Sequence, residues 1–162
     1  MGQFKRVIPI FVAAVLCWPA NAFGLSEDQK ILSLLRSVAA GKPVERGVRP
    51  VLAPSLLENP RRALPDLNDT QFVQRLEWYA PLARSAEDRA AAAIGLWIAY
   101  NAVTIVLQPR RVSSSADQVQ LVWPGSLLFL ERTPDGLRIA GAAETAATAP
   151  ISASSLPNYR RM

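Results

Sequence analysis

The segment SAEDRAAAAIGLWIAYNAVTIVL, Ser85 to Leu107, decides the fold of this chain because it joins a marked helix start to a long uncharged apolar run. Ser85 stands at an N-cap position with Asp88 three residues later, and acidic residues here suit the positive end of a helix dipole. The pattern predicts a helix that begins near Ala86. From Ala90 onward apolar residues surround the helix, and such a helix must be buried.

Two environments could bury this helix, the protein core or a lipid bilayer. Residues 90–107 just reach the length of a membrane span, and Arg110 and Arg111 would then lie on the cytoplasmic side. Asn101 and four weakly apolar alanines favour the core instead. The β-branched run from Val103 to Val106 predicts that the helix gives way to a strand there. We therefore expect a central core helix, with a membrane span as the alternative.

The N-terminus has the pattern of a secretory signal peptide over Met1 to Ala22. Lys5 and Arg6 form the positive region, Val7 to Trp18 the short apolar region, and Ala20-Asn21-Ala22 the small-residue cleavage site. We expect cleavage after Ala22 and export to the periplasm, with an uncleaved anchor as the alternative. The remaining 140 of the 162 residues suffice for one domain with its own core.

Composition excludes several kinds of chemistry. The one cysteine, Cys17, leaves with the signal, and the chain has no histidine. The exported part therefore has no disulfide, thiol nucleophile, Cys/His metal site or ordinary base for a serine triad, and we expect no cofactor. Removing Lys5 and Arg6 lowers the formal net charge from +5 to +3, too little to indicate a nucleic-acid partner.

Helical patterns occupy much of the chain before Ser85. Leu25 to Ala40 predicts an amphipathic helix started by a Ser26/Gln29 capping box. Prolines prevent an extended helix from Lys42 to Leu67, where we expect one helical turn, Ser55 to Glu58. This connector is expected to wrap the core, and a functional lid or docking segment is the alternative. Its apolar residues are Val48, Val51, Leu52, Leu56 and Leu57.

A further helix is predicted from a cap at Asn68 or Asp69 to about Pro81. Its apolar face is expected to contain Phe72, Val73, Leu76, Tyr79 and Leu82.

The sequence becomes strand-like after the serine-rich loop at residues 113–115. Gln118 to Trp123, Ser126 to Arg132 and Leu137 to Ala142 predict strands separated by proline-glycine and aspartate-glycine turns. A strand within Val103 to Val112 would give a meander of three or four strands. The predicted class is α+β, with N-terminal helices packed on a small C-terminal antiparallel meander in one domain, residues 23–142. Residues 143–162, rich in Ala, Ser and Pro, are predicted to be a disordered tail.

Three sets of residues are candidates for a functional site. Glu77 and Trp78 could hold a ligand or partner, although packing of Trp78 under the connector is the favoured interpretation. The arginine pairs could bind an anionic partner, although such pairs are usually solvated surface. Two carboxylates, Glu77 and Glu131, are the best placed for carboxylate catalysis. The arginine pairs are Arg61-Arg62, Arg110-Arg111 and Arg160-Arg161.

The leading functional hypothesis is a non-enzymatic periplasmic protein that acts by contact with another envelope protein, as an accessory, assembly or inhibitor component. The alternative is a binder of a small apolar or lipid-like ligand, with Trp97, Trp123 and Phe129 lining a pocket between helix and sheet. A cell-wall hydrolase based on carboxylates is a third hypothesis. Contact with a membrane is not favoured.

The order of elements, helices first and meander last, resembles the nuclear-transport-factor-like fold when taken together with the sequence from Thr133 to Ala140. Periplasmic domains of type IV secretion components also use that fold. The resemblance implies no site residues for this chain.

Overall fold

The computed structural model describes residues 26–144, apart from the side chains of residues 45 and 46. The predicted signal peptide, Met1 to Ala22, and residues 145–162 of the predicted tail lie outside this range. The helices are α1 Glu27–Ala39, α2 Val44–Val48, α3 Pro54–Glu58, α4 Asp69–Tyr79, α5 Ala86–Tyr100 and α6 Ala102–Ile105. Two 3-10 turns, Arg49–Val51 and Pro60–Ala63, connect them. The strands are β1 Arg110–Ser113, β2 Gln118–Trp123, β3 Ser126–Thr133 and β4 Gly136–Glu144.

The predicted α+β architecture is confirmed. The helices pack on a four-stranded antiparallel sheet of order β1-β2-β3-β4. Along β2 and β3, successive side chains point to opposite faces of the sheet, so every second side chain faces the helices and is buried. Val119 is opposite Leu130 and Leu121 is opposite Leu128. β4 runs two residues beyond the predicted Ala142, to Glu144.

Helix α5 is the buried centre of the molecule, as its sequence predicts. The Asp88 amide donates to the Ser85 Oγ at 3.0 Å, and the Ser85 amide donates back to the Asp88 carboxylate at 3.4 Å. The hydrogen bond from the Ser85 hydroxyl side chain is the largest cause lowering the pKa of Asp88. Every residue from 90 to 99 is buried. The capping box therefore fixes the start of a helix that protein surrounds on all sides.

Within residues 26–144, no helix has both the length and the apolarity that crossing a membrane requires.

The predicted strand at Val103 to Val106 is wrong. Helix α5 ends at Tyr100, and the short helix α6 follows Asn101. The Asn101 side chain donates to the Trp97 carbonyl at 2.9 Å, which occupies a carbonyl of the last turn of α5. The asparagine side chain thus bonds back to its own helix where α5 ends, and residues 102–105 form the one-turn helix α6 instead of a strand. The first strand begins later, at Arg110.

The starts of α1 and α4 differ in their capping. Ser26 precedes α1, but its side chain makes no capping hydrogen bond, so the predicted Ser26/Gln29 capping box is wrong. Asn68 and Gln71 do form a reciprocal capping box at the start of α4.

The buried face of α4 is narrower than predicted. Phe72, Leu76 and Tyr79 are buried, whereas Val73 and Leu82 are 50% and 75% exposed. Leu82 lies beyond the end of the helix, so it does not continue the buried face.

The proline-rich connector wraps the core, as expected. Val48 and Leu56 are fully buried. Leu52 forms a parallel bridge with Ile139 of β4, and the Ala53 amide donates to the Ile139 carbonyl at 2.8 Å. The connector therefore covers the free edge of β4, the last strand of the sheet.

Candidate interaction surface

Three large apolar side chains are exposed together where the helices lead into the sheet. Val103 is 86% exposed, Val106 61% and Leu107 53%. Between them Ile105 is fully buried and anchors the segment to the core. Because α6 is only one turn long, burying Ile105 leaves its neighbours facing outward. We call Val103, Val106 and Leu107 the α6 patch.

The backbone beneath the α6 patch is fixed by side chains from distant elements. Arg36 of α1 donates through Nε to the Ile105 carbonyl at 3.2 Å and through Nη2 to the Leu107 carbonyl at 3.1 Å. The Trp123 Nε1 donates to the same Leu107 carbonyl at 3.1 Å. A surface held in this way loses little conformational freedom when another molecule covers it.

Strand β1 continues from the α6 patch and forms an open edge of the sheet. Only Gln108 and the buried Pro109 separate Leu107 from Arg110. Within residues 26–144, β1 pairs with β2 and with no other strand. We call Arg110–Ser113 the β1 edge.

The two arginines of β1 point to opposite faces of the sheet. Arg111 lies on the helix side, where its Nε is 3.8 Å from the Asp28 carboxylate. Its side chain remains 50% exposed, so this pair contributes little to stability. Arg110 lies on the other face and makes no ion pair with a described residue. Both arginines therefore remain available to a partner.

The other predicted arginine pair lies at the opposite edge of the sheet. The Arg61 guanidinium is 2.5 Å from the Asp69 carboxylate and donates to the Leu67 carbonyl at 2.6 Å, so it joins the second 3-10 turn to the start of α4. Arg62 is exposed, and its carbonyl packs against Gly141 of β4. The structure thus does not bring Arg61 and Arg62 together with Arg110 and Arg111. Arg160 and Arg161 lie outside the described residues.

Glu77 and Trp78 are both exposed on the outer face of α4. Trp78 is 53% exposed, so the expectation that it packs under the connector is wrong. Glu131 lies on β3, and its carboxylate accepts a hydrogen bond from the Ser55 hydroxyl of α3 at 2.8 Å. The two glutamates considered for catalysis therefore lie on different elements, α4 and β3, and no contact joins them among the described residues.

The predicted apolar pocket residues also separate. Trp97 and Trp123 are 0% and 3% exposed and pack edge to face, with ring centroids 6.1 Å apart. Phe129 alternates with the buried Leu128 and Leu130, so it faces the other side of the sheet. The two tryptophans fill the core and line no common pocket with Phe129.

A polar cluster lies at the end of β4, beside the start of α6. Asn101 is buried and its amide is 3.5 Å from the Glu144 carboxylate. Burial raises the pKa of the Glu144 carboxyl, and the nearby Asp66 carboxylate raises it further, whereas the Asn101 hydrogen bond lowers it. Across residues 26–144, no three side chains of the metal-binding types come together. A shallow depression of about 430 Å³ lies along α1 beside Gln29, Ser33 and Arg36.

Comparisons with family models, curated proteins and solved structures found no match for this chain. The resemblance to the nuclear-transport-factor-like fold stays a prediction.

Sequence reasoning missed the α6 patch because it assigned Val103 to Val106 to buried structure. The signal that could have revealed it is Asn101. An asparagine at this point can bond to the preceding turn and end the helix, which would place the following apolar residues in a connection. Only the packing of Ile105 decides which of them is buried.

Proposed function

We propose that this chain is an exported, non-enzymatic protein of the bacterial envelope that acts by binding another protein through the α6 patch. The observation that carries the proposal is the exposure of Val103, Val106 and Leu107 on one rigidly held turn. Clustered apolar surface of this kind is typical of protein–protein contact sites, whereas single exposed hydrophobic residues are ordinary. The expectation of export comes from the sequence of Met1 to Ala22.

The composition around the α6 patch also supports a protein partner. Arg36 and Trp123 lie beneath the patch and Arg110 and Arg111 follow it, so apolar surface is bordered by basic side chains. Interfaces commonly combine an apolar centre with a polar rim, and arginine is enriched in them. A contact surface of this type needs neither a cleft nor a cofactor.

Site-specific photocrosslinking in living cells tests the proposal. A photoreactive amino acid replaces Val106 in one variant and Leu82, which is 75% exposed, in the control. We expect a discrete crosslinked product of one partner at position 106 and none at position 82, because the partner covers the α6 patch. Absence of a product at position 106, or the same products at both positions, would contradict the proposal.

A further inference from the structure

The hydrogen-bonding phase of β1 shows which of its backbone groups face outward. The Ser114 amide donates to the Gln118 carbonyl at 3.2 Å, so residues 114 and 118 form a hydrogen-bonded pair. Such pairs alternate along antiparallel strands. With the observed register, Arg110 and Val112 bond to β2, whereas Arg111 and Ser113 point their N–H and C=O groups away from the sheet. The β1 edge thus offers two residues with outward backbone groups to a new strand.

One edge of the sheet is covered by the chain itself and the other is not. The connector covers β4 through Leu52, Ala53 and Arg62, as described above. No described element pairs with β1 on its outer side. An uncovered edge is a template for another extended chain, and arginine side chains on it can serve to discourage unwanted pairing. An edge that only blocks association would not be expected to have the exposed α6 patch immediately beside it.

The positive charge of the β1 edge indicates which kind of extended chain could pair with it. Arg110 and Arg111 lie on it, and Arg36 bonds to the Leu107 carbonyl three residues before it. The acids nearest in the chain or in contact are the mostly buried Asp28 and the exposed Asp117 of the β1–β2 turn, so the edge keeps an excess of positive charge. Two copies of β1 paired with each other would place four arginines in neighbouring positions, and opposed like charges destabilise a strand pair. A segment with acidic side chains would instead have its charges matched.

We infer that the β1 edge binds an extended acidic segment of another protein as a fifth strand, with that segment's apolar residues reaching the α6 patch. The inference rests on the proposed function and adds to it the chemistry and backbone geometry of the partner. Backbone hydrogen bonds to Arg111 and Ser113 would supply binding strength. The arginines would select acidic sequences over others.

Amide hydrogen exchange of the full chain tests this inference with two short peptides. One peptide alternates glutamate with valine, and its matched control alternates lysine with valine. We expect the acidic peptide at millimolar concentration to slow exchange at Arg111 and Ser113 by about tenfold or more, because their amides become bonded. Exchange at Arg110 and Val112, which already bond to β2, should change much less.

Variants separate backbone pairing from charge. Ser113→Pro removes an outward N–H group without removing a bond to β2, and should weaken binding of the acidic peptide, whereas Ser113→Ala keeps the N–H group and should not. Arg110→Glu should weaken binding about fivefold or more. If Ser113→Pro fails to fold, Arg110→Glu still decides the charge component.

Several results would overturn the inference. The inference is contradicted if the acidic peptide fails to bind, if both peptides bind equally, or if binding leaves amide exchange at Arg111 and Ser113 unchanged. If exchange at these amides slows when the protein concentration is raised without any peptide, a second copy of the chain pairs with the β1 edge, and the inference is also overturned. A partner crosslinked at position 106 would preserve the proposed function in each of these cases.

Discussion

At the scale of single residues, Glu144 connects the end of the sheet to the polar groups around α6. Its carboxylate is near both Asn101 and Asp66, and its pKa is raised first by burial and then by Asp66. A carboxyl whose pKa is higher in the folded than in the unfolded state makes the folded protein bind more protons. The stability of the fold then decreases as pH rises through the interval above the ordinary value of 4.5.

We predict that Glu144→Gln removes this part of the pH dependence. Relative to the unsubstituted chain, the variant should be more stable at pH 7 and nearly equal in stability well below pH 4.5, where Glu144 is protonated in both the folded and the unfolded state. Asp66→Asn should reduce the slope without abolishing it, because burial is the larger cause. Urea unfolding across this pH range provides the measurement. A variant that is less stable than the unsubstituted chain at pH 7 would contradict the assignment.

At the scale of elements, Gly95 allows α2 to pack closely on α5. A Cβ atom placed on Gly95 would lie 2.9 Å from both Cγ atoms of Val44 and 3.0 Å from the Tyr79 hydroxyl oxygen. Alanine is about 1 kcal/mol better than glycine inside a helix, so an unconstrained site would gain stability from the substitution. Here the contacts are too short, and the residues of α2 or α4 would have to move.

We predict that Gly95→Ala destabilises the protein by about 1–3 kcal/mol in urea unfolding. The matched test introduces the same substitution into a Val44→Ala background, which removes both Cγ atoms. There, Gly95→Ala should cost much less or become stabilising. Stabilisation by Gly95→Ala in the unsubstituted chain would show that α2 does not approach α5 as closely as described.

The elements differ in how far their own sequences determine them. The start of α5 follows from Ser85 and Asp88, and the meander follows from alternating side chains and glycine turns, because these signals involve residues close in the chain. The failed capping box at Ser26 shows that a suitable residue pair does not ensure the hydrogen bonds. Short-range signals therefore predicted the long helices and the strands, but not α6 or the helical turns of the connector beyond α3, and they predicted terminal hydrogen bonds less reliably.

The candidate surface was less predictable because tertiary contacts create it. Arg110 and Arg111 were identified from the sequence as potential partner contacts. Their strand is an open edge of the sheet because the connector packs against β4 and not against β1. Likewise, the exposure of Val103 and Val106 depends on Ile105 entering the core and on Arg36 bonding to carbonyls about seventy residues away. No local pattern carries that information.

At the scale of the whole molecule, one side of the sheet is closed by the chain itself and the other is left open. The connector covers the edge of β4, while the α6 patch and the β1 edge lie together at the uncovered side. Under the proposed function, this uncovered side is the surface that binds the partner. Because its side chains are exposed, the proposed function predicts that substitutions there change binding with little change in the free energy of unfolding.

The most direct test of the central claim is sedimentation of the fluorescently labelled full chain in periplasmic extract. The triple variant Val103→Ser, Val106→Ser, Leu107→Ser is compared with the control Val73→Ser, Leu82→Ser, which alters exposed apolar residues elsewhere. We predict that the unsubstituted chain and the control sediment as a complex and the triple variant as a free chain, with the free energy of unfolding within about 1 kcal/mol throughout. An unsubstituted chain that sediments free, or a triple variant that retains the complex, would contradict the claim.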